Sequence, residues 1–248
     1  MFGILSVRNI LKMNLIKFQS NPPLTRFAPQ WDFVMAEDSS FSDPNFFKSI
    51  SKIILEKESS VISANSEKYQ EYNKNFNVVY DGETGLGPNS LTSRSKYFNF
   101  FSWKEDEVRI LYNFIHLKYV QFLNIVEVPR RKVWIQCWAN VMRDGEEIKR
   151  HIHSSHALTW LGGHVTIACN DTSTFYVNPI NLADGEQIYE SKNEVGKLTL
   201  FQNNIPHYTN THHGSSERIS IAFDIIVDER ITEYVKELQS NFILFDNP

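Results

Sequence analysis

Histidines dominate the chemistry this sequence can offer: eight occur in 248 residues, and seven of them fall between His151 and His213. In Arg150-His151-Ile152-His153 two imidazoles stand two residues apart, so on an extended strand both rings point to the same face. His207 ends the run from Gly196 through Leu198, Leu200 and Phe201 to Pro206, which reads as a strand stopping at a Pro-His turn. A neighbouring strand could thus bring a third ring to the same ion. Three ligands on one face leave positions open opposite, as required when a metal must also hold a substrate and oxygen; structural sites close all of them. The usual non-haem iron triad has two histidines and a carboxylate, whereas here the i+2 position holds His153, which leaves the site with more net positive charge. A dianionic co-substrate chelating the metal would offset that charge and would need a cation at its far end.

Arg218 is the natural candidate for that cation. In Arg218-Ile-Ser220-Ile-Ala-Phe-Asp224, alternation puts Arg218 and Ser220 on one face and Ile219, Ile221 and Phe223 on the other. A guanidinium and a hydroxyl two residues apart can grip a carboxylate, the arginine through paired donors. Asn140, on the face of Trp138 and Met142, either reaches the co-substrate or satisfies a strand end. Of the other histidines, His156 could replace a ligand or face the substrate, His164 reads as a hydrogen-bonded interior residue, and His212 and His213 fall in an exposed hairpin loop. Asp144, Glu146 and Glu147 read as a solvated turn, and Trp134, Trp138 and Trp160 as core or pocket wall.

These residues need elements to carry them. After Pro129 the sequence turns to short runs of Val, Ile, Thr, Phe and Trp, and Lys132 to Met142, His164 to Asn170, Ser173 to Asn178, Lys197 to Gln202 and Arg218 to Val227 all read as strands. The first half reads as helical and irregular. Asp43-Pro44 opens a helix carrying Phe46, Phe47, Ile50, Ile53 and Ile54 through about Val61, and a second runs from about Lys104 to Asn124. Between them Ser63 to Ser95 reads as a long loop, of the kind that carries function. Asp228 caps a closing helix over about 229–242. The division is a helical and irregular N-terminal layer (about 1–130), a β core (about 131–228) and that helix, within one domain spanning 1–248.

Composition narrows the function classes. Lys+Arg 25 against Asp+Glu 29 gives a net charge of −4, which argues against a surface built for nucleic-acid phosphates or anionic membranes. The two cysteines, Cys137 and Cys169, form neither a disulfide framework nor a Cys-x-x-Cys motif, and a reducing cytoplasm fits best. Arg8, Lys12 and Lys17 interrupt the N-terminal apolar run, so no membrane span is expected. Met1 to Trp31 holds four basic residues and no acid before Asp32, as transit peptides do. It is read here as an amphipathic segment whose Leu11, Leu15, Ile16 and Phe18 pack on the domain. The apolar helix stripes could serve a homodimer as well as a core.

Trp138-Ala-Asn-Val-Met142, Arg150-His-Ile-His153, Gly162-Gly163, Gly196-Lys-Leu-Thr-Leu-Phe201, Pro206-His207 and Arg218-Ile-Ser-Ile-Ala-Phe223 occur in an order that resembles the 2-oxoglutarate- and Fe(II)-dependent oxygenase family of bacteria and marine phages. The resemblance covers about Trp138 to Ile225. It implies a mainly β fold with N-terminal helices, a cupin-like double-stranded β-helix or jelly roll. It also implies Fe(II) on His151, His153 and His207, and 2-oxoglutarate on Arg218 and Ser220 with Asn140 nearby. With O2, a small-molecule or peptide substrate would be hydroxylated as 2-oxoglutarate is decarboxylated to succinate. Ser154 to Leu161 departs from the family's S-G-x-x-Y pattern, which alters the pocket lining. The spacing Gly145 to His153 and Gly196 to His207 also partly matches the two cupin motifs, so a three-histidine cupin-type dioxygenase or isomerase without 2-oxoglutarate is the rival reading. A non-catalytic jelly-roll binding module is the third. Substrate-contacting residues are expected from Ser63 to Ser95 and from the Asn181 to Asn193 loop.

Overall fold

The computed structural model describes residues 13–153, 159–180, 185–227 and 241–248. Ten strands are assigned: β1 (Asn14–Gln19), β2 (Asp32–Asp38), β3 (Val133–Met142), β4 (Thr159–Ala168), β5 (Ser173–Val177), β6 (Ile188–Lys192), β7 (Leu198–Gln202), β8 (His207–Thr209), β9 (Arg218–Val227) and β10 (Ile243–Asp246). They form a seven-stranded sheet in the order β1-β2-β7-β4-β9-β3-β10 and a three-stranded sheet in the order β6-β5-β8. All registered pairs are antiparallel. The small sheet is extended by the chain before β4, because His151 and His207 exchange both main-chain hydrogen bonds, at 3.1 and 2.9 Å, and Thr209 donates its amide to the Ile148 carbonyl at 3.0 Å. From β3 to β9 the chain therefore alternates between two facing sheets, with β3, β4, β7 and β9 in the large one. That alternation is the double-stranded β-helix expected from the sequence.

Strand alternation decides what each face does. On β3, Val133, Ile135, Cys137, Ala139 and Val141 enter the main core, as do Ile219, Ile221, Phe223, Ile225 and Val227 on β9. Two helices cover that face. In α1 (Pro44–Ala64) Phe46, Phe47, Ile50 and Ile54 are buried, and Asp43 accepts from the amides of Asn45 and Phe46 at 3.0 and 3.1 Å, satisfying two donors that the first turn leaves without helical partners. In α3 (Asp106–Ile125) Val108, Leu111, Ile115, Tyr119, Phe122 and Leu123 are buried. Lys118 on the same helix is also buried, its Nζ 2.6 Å from Asp38 at the end of β2. With helices on one face, the opposite face of β3 and β9 is left to line a cavity.

Three expectations need correction. Ser63 to Ser95 is not one loop, since α2 (Ser66–Phe76) lies inside it; this polar helix has no apolar stripe and is held by Tyr69, whose hydroxyl donates to the Tyr80 carbonyl at 2.7 Å beneath the Arg94 guanidinium. The layer before 130 is not purely helical, because β1 and β2 extend the large sheet, with Phe18 buried and Leu15 and Ile16 half-buried. β4 starts before Gly162 and Gly163 rather than after them. A Cβ on Gly163 would lie 2.4 Å from Phe223 Cζ, so the glycine marks strand packing and not a strand end. The closing helix expected at about 229–242 falls chiefly outside the described residues, and Ile243–Asp246 after it forms a strand beside β3. Among the described residues no helix is long and apolar enough to cross a membrane.

Candidate metal and co-substrate site

β8 and the extended stretch that pairs with it bring His151, His153 and His207 together, although more than fifty residues separate the pair from the third. Their rings lie 4.3 Å (His151 to His207), 4.9 Å (His153 to His207) and 5.5 Å (His151 to His153) apart between centroids. One nitrogen from each falls within 4.8 Å of the other two. The tautomers follow from the surroundings. His151 Nδ1 lies 2.8 Å from the Lys149 carbonyl, His207 Nδ1 3.1 Å from the Ile205 carbonyl, and His153 Nδ1 2.5 Å from the Asp224 carboxylate. Each of those oxygens can only accept, so each Nδ1 carries the proton and each Nε2 keeps its lone pair for an ion. Burial, with the adjacent His153 ring adding to it, pushes the His151 pKa down to about 4, and burial holds His207 well below its usual value. Both rings are thus neutral at pH 7, the form that binds a metal.

Arg218 is 1% exposed. Its Nη1 donates to Met142 Sδ at 3.0 Å, a weak acceptor, and its Nε has no partner among the described residues. Burial lowers its pKa to about 10, so it remains charged at pH 7. Among the described residues no carboxylate pairs with it, which leaves a desolvated cation matched to an incoming anion. Ser220 lies on the same face, and Thr174 and Thr209 line the same cavity of about 450 Å³ as Arg218 and the three histidines. Asn140 sits beside Ser220 in the β3–β9 register. Its Oδ1 accepts from Thr92 Oγ1 at 2.6 Å and from Trp138 Nε1 at 3.1 Å, so only its Nδ2 is available to a ligand.

The remaining candidates divide. His164 is an interior residue, its Nε2 2.6 Å from the Tyr176 hydroxyl. His212 is not exposed as expected: it is fully buried, with Nε2 2.7 Å from the Ser216 carbonyl, and its backbone ties the hairpin to Gly145 and Glu146. His213 is exposed near Asp144. His156 lies outside the described residues. Glu146 and Glu147 accept from Arg143 N and Thr211 Oγ1 within the turn, away from the histidine cluster. The cavity rim comes from Tyr80, Gly82, Glu83 and Thr84, the end of the long N-terminal segment; no described residue of 185–193 lines it.

Two cavity residues escaped the sequence reading. Asn203 is 1% exposed, and neither polar atom of its side-chain amide has a partner among the described residues, while its carbonyl holds the His153 amide at 3.0 Å. In Gln202-Asn-Asn204 it reads as ordinary turn polarity, and nothing nearby distinguishes it. Asp224 was legible in principle, because alternation places it on the face of Arg218 and Ser220.

Residues 136–224 match the family described as "Putative 2OG-Fe(II) oxygenase". The span runs from Gln136 on β3 to Asp224 on β9, both of which line the cavity, and contains all three histidines and Arg218. No curated protein matches the sequence. Among solved structures, a prolyl-4-hydroxylase from Pseudomonas putida is similar at 9% identity over 78% of this chain and 92% of that chain, with a TM-score of 0.47. AviO1 from Streptomyces viridochromogenes Tue57 is similar at 11% identity over 79% and 90%, with a TM-score of 0.45. The viral collagen prolyl hydroxylase of Paramecium Bursaria Chlorella virus-1 gives 13% identity over 50% and 76%, with a TM-score of 0.38. The family match thus covers about a third of the chain, the part that holds the histidine cluster and Arg218, and the three histidines there could hold a metal ion.

Proposed function

We propose that His151, His153 and His207 hold Fe(II) through their Nε2 atoms, that Arg218 and Ser220 receive the distal carboxylate of 2-oxoglutarate, and that the protein hydroxylates a small-molecule or peptide substrate. The observation that carries this reading is the meeting, in one cavity, of three imidazoles whose Nδ1 protons are all spoken for and a buried guanidinium without a counter-ion among the described residues. When bound, iron and 2-oxoglutarate supply the oxidative decarboxylation and the oxidising equivalent for a C–H bond.

The chain supplies placement and charge. Three neutral imidazoles leave the ion's two positive charges uncompensated, and a dianionic co-substrate balances them. Arg218 neutralises the far carboxylate and fixes which end faces the ion, in a setting where water has been removed and the attraction is strong. Ser220 adds a donor, and Asn140 offers Nδ2 from the adjacent strand. Asn203, whose amide atoms have no partner among the described residues, lies beside His153 and is suited to hydrogen-bond a group that approaches the ion. Trp138 and Ile148 wall the cavity and limit water, while the Tyr80 to Thr84 rim is where a substrate would approach.

An anaerobic titration of metal-free protein with Fe(II) and then 2-oxoglutarate tests the proposal through the visible metal-to-ligand charge-transfer band. The band is expected in the native chain, lost in His207→Ala, and in Arg218→Ala formed only at much higher 2-oxoglutarate concentration. Fe(II) bound at one per chain with no band on adding 2-oxoglutarate would overturn the co-substrate assignment. Absence of metal binding would overturn the ligand assignment as well.

A further inference from the structure

We propose that Asp224 is a positioning residue for the metal centre: it fixes His153 in its Nδ1–H form and supplies, one hydrogen bond away from the ion, the negative charge that three imidazole ligands lack. The inference rests on the ligand assignment above and goes beyond it. Its first support is geometric, the 2.5 Å separation between His153 Nδ1 and Asp224 Oδ1 with the His153 side chain 5% exposed. The second is an asymmetry among the three histidines. His151 and His207 are oriented by main-chain carbonyls, which any sequence provides, whereas His153 depends on one particular side chain. Among the described residues Asp224 pairs with no arginine or lysine, so its charge is directed to that ring.

Its neighbours keep the pair intact. Gly162 stands opposite Asp224 in the β4–β9 register, and a Cβ there would lie 2.9 Å from His153 Nδ1 and 2.8 Å from Asn203 Oδ1. Any side chain at 162 would press on the contact. Gln136, opposite Asp224 on β3, donates its amide to the Ser95 carbonyl and so does not compete for the carboxylate. One face of β9 therefore presents Arg218 and Asp224 to the same cavity, a cation and an anion separated by roughly 20 Å of strand. A carboxylate behind a ligating imidazole raises the basicity of the ligand nitrogen and holds the ring at the angle the ion requires.

The test is Co(II) titration of the full native chain and of Asp224→Asn, which keeps the shape and removes the charge. The native chain is expected to bind one Co(II) with a visible ligand-field spectrum. In Asp224→Asn the affinity should fall by about 10- to 100-fold, with the same stoichiometry at saturation and an altered spectrum. A merely structural role would lower the unfolding midpoint and leave affinity and spectrum as they were, and that result overturns the proposal. If native chain binds no Co(II), the ligand assignment itself fails, which is a separate result. Should Asp224→Asn not fold, nitrogen-15 NMR of the metal-free native chain decides: a downfield proton on Nδ1 of His153 supports the proposal, and a proton on Nε2 overturns it.

Discussion

Burial sets the protonation state of the cavity histidines before any ligand arrives, and His164 shows the consequence most cleanly because it lies outside the ligand cluster. Burial, with the charge of Arg218 behind it, pushes its pKa down to about 3. In the unfolded chain the same ring takes up a proton near 6.5, so below that pH the unfolded state binds more protons than the native one. The stabilisation from keeping His164 neutral is complete above pH 6.5 and is lost as the pH falls toward 3. At pH 5 the loss from this residue alone is about 2 kcal/mol. Urea unfolding of metal-free protein should therefore show a lower midpoint at pH 5 than at pH 7, and His164→Gln should narrow that difference; an unchanged difference would show that His164 is protonated in the native state. Residue identity was the most legible scale. The H-x-H pair, His207, Arg218 and Ser220 all face one cavity, as alternation along the strands required. Asn203 was opaque because an asparagine in a turn has an ordinary reason to be there.

Elements were legible where the apolar period was strong. α1 and α3 lie close to where their stripes put them, and β3, β5, β7 and β9 match their runs within a residue or two. What escaped were elements whose stability comes from partners rather than from their own pattern: the polar helix α2, the edge strands β1, β6 and β10, and the glycine half of β4. β2 belongs with them, and its Asp38 gives the element scale its own prediction. Lys118 of α3 and Asp38 are each 2% exposed and pin the helix layer to the sheet. Lys118→Ala would strand the carboxylate, with only Ser40 left to donate to it, at a cost of about 3 to 5 kcal/mol in urea unfolding. Lys118→Met together with Asp38→Leu should recover most of that loss, because a matched apolar pair carries no desolvation penalty. A double variant as unstable as the single one would mean that packing, not the unpaired charge, sets the cost.

Over the whole molecule, function follows from which face of the large sheet is covered. α1 and α3 take the side bearing Ile219, Ile221 and Phe223, so the side bearing Arg218, Ser220 and Asp224 is left to meet the small sheet across a cavity. That cavity is closed at one point by main chain alone, where His151 and His207 exchange amide and carbonyl. The residues proposed to grip the ion are thus also the stitch between the two strands. Fraying of that seam and escape of the ion become a single event, and hydrogen–deuterium exchange can read one through the other. At free metal a hundredfold above its dissociation constant, the amides of His151, His207 and Thr209 should exchange about a hundredfold more slowly than in the metal-free chain. Amides in α2, which takes no part in the seam, should exchange at the same rate with or without metal. The chain would then carry a built-in occupancy gauge in its own backbone, legible without substrate or turnover.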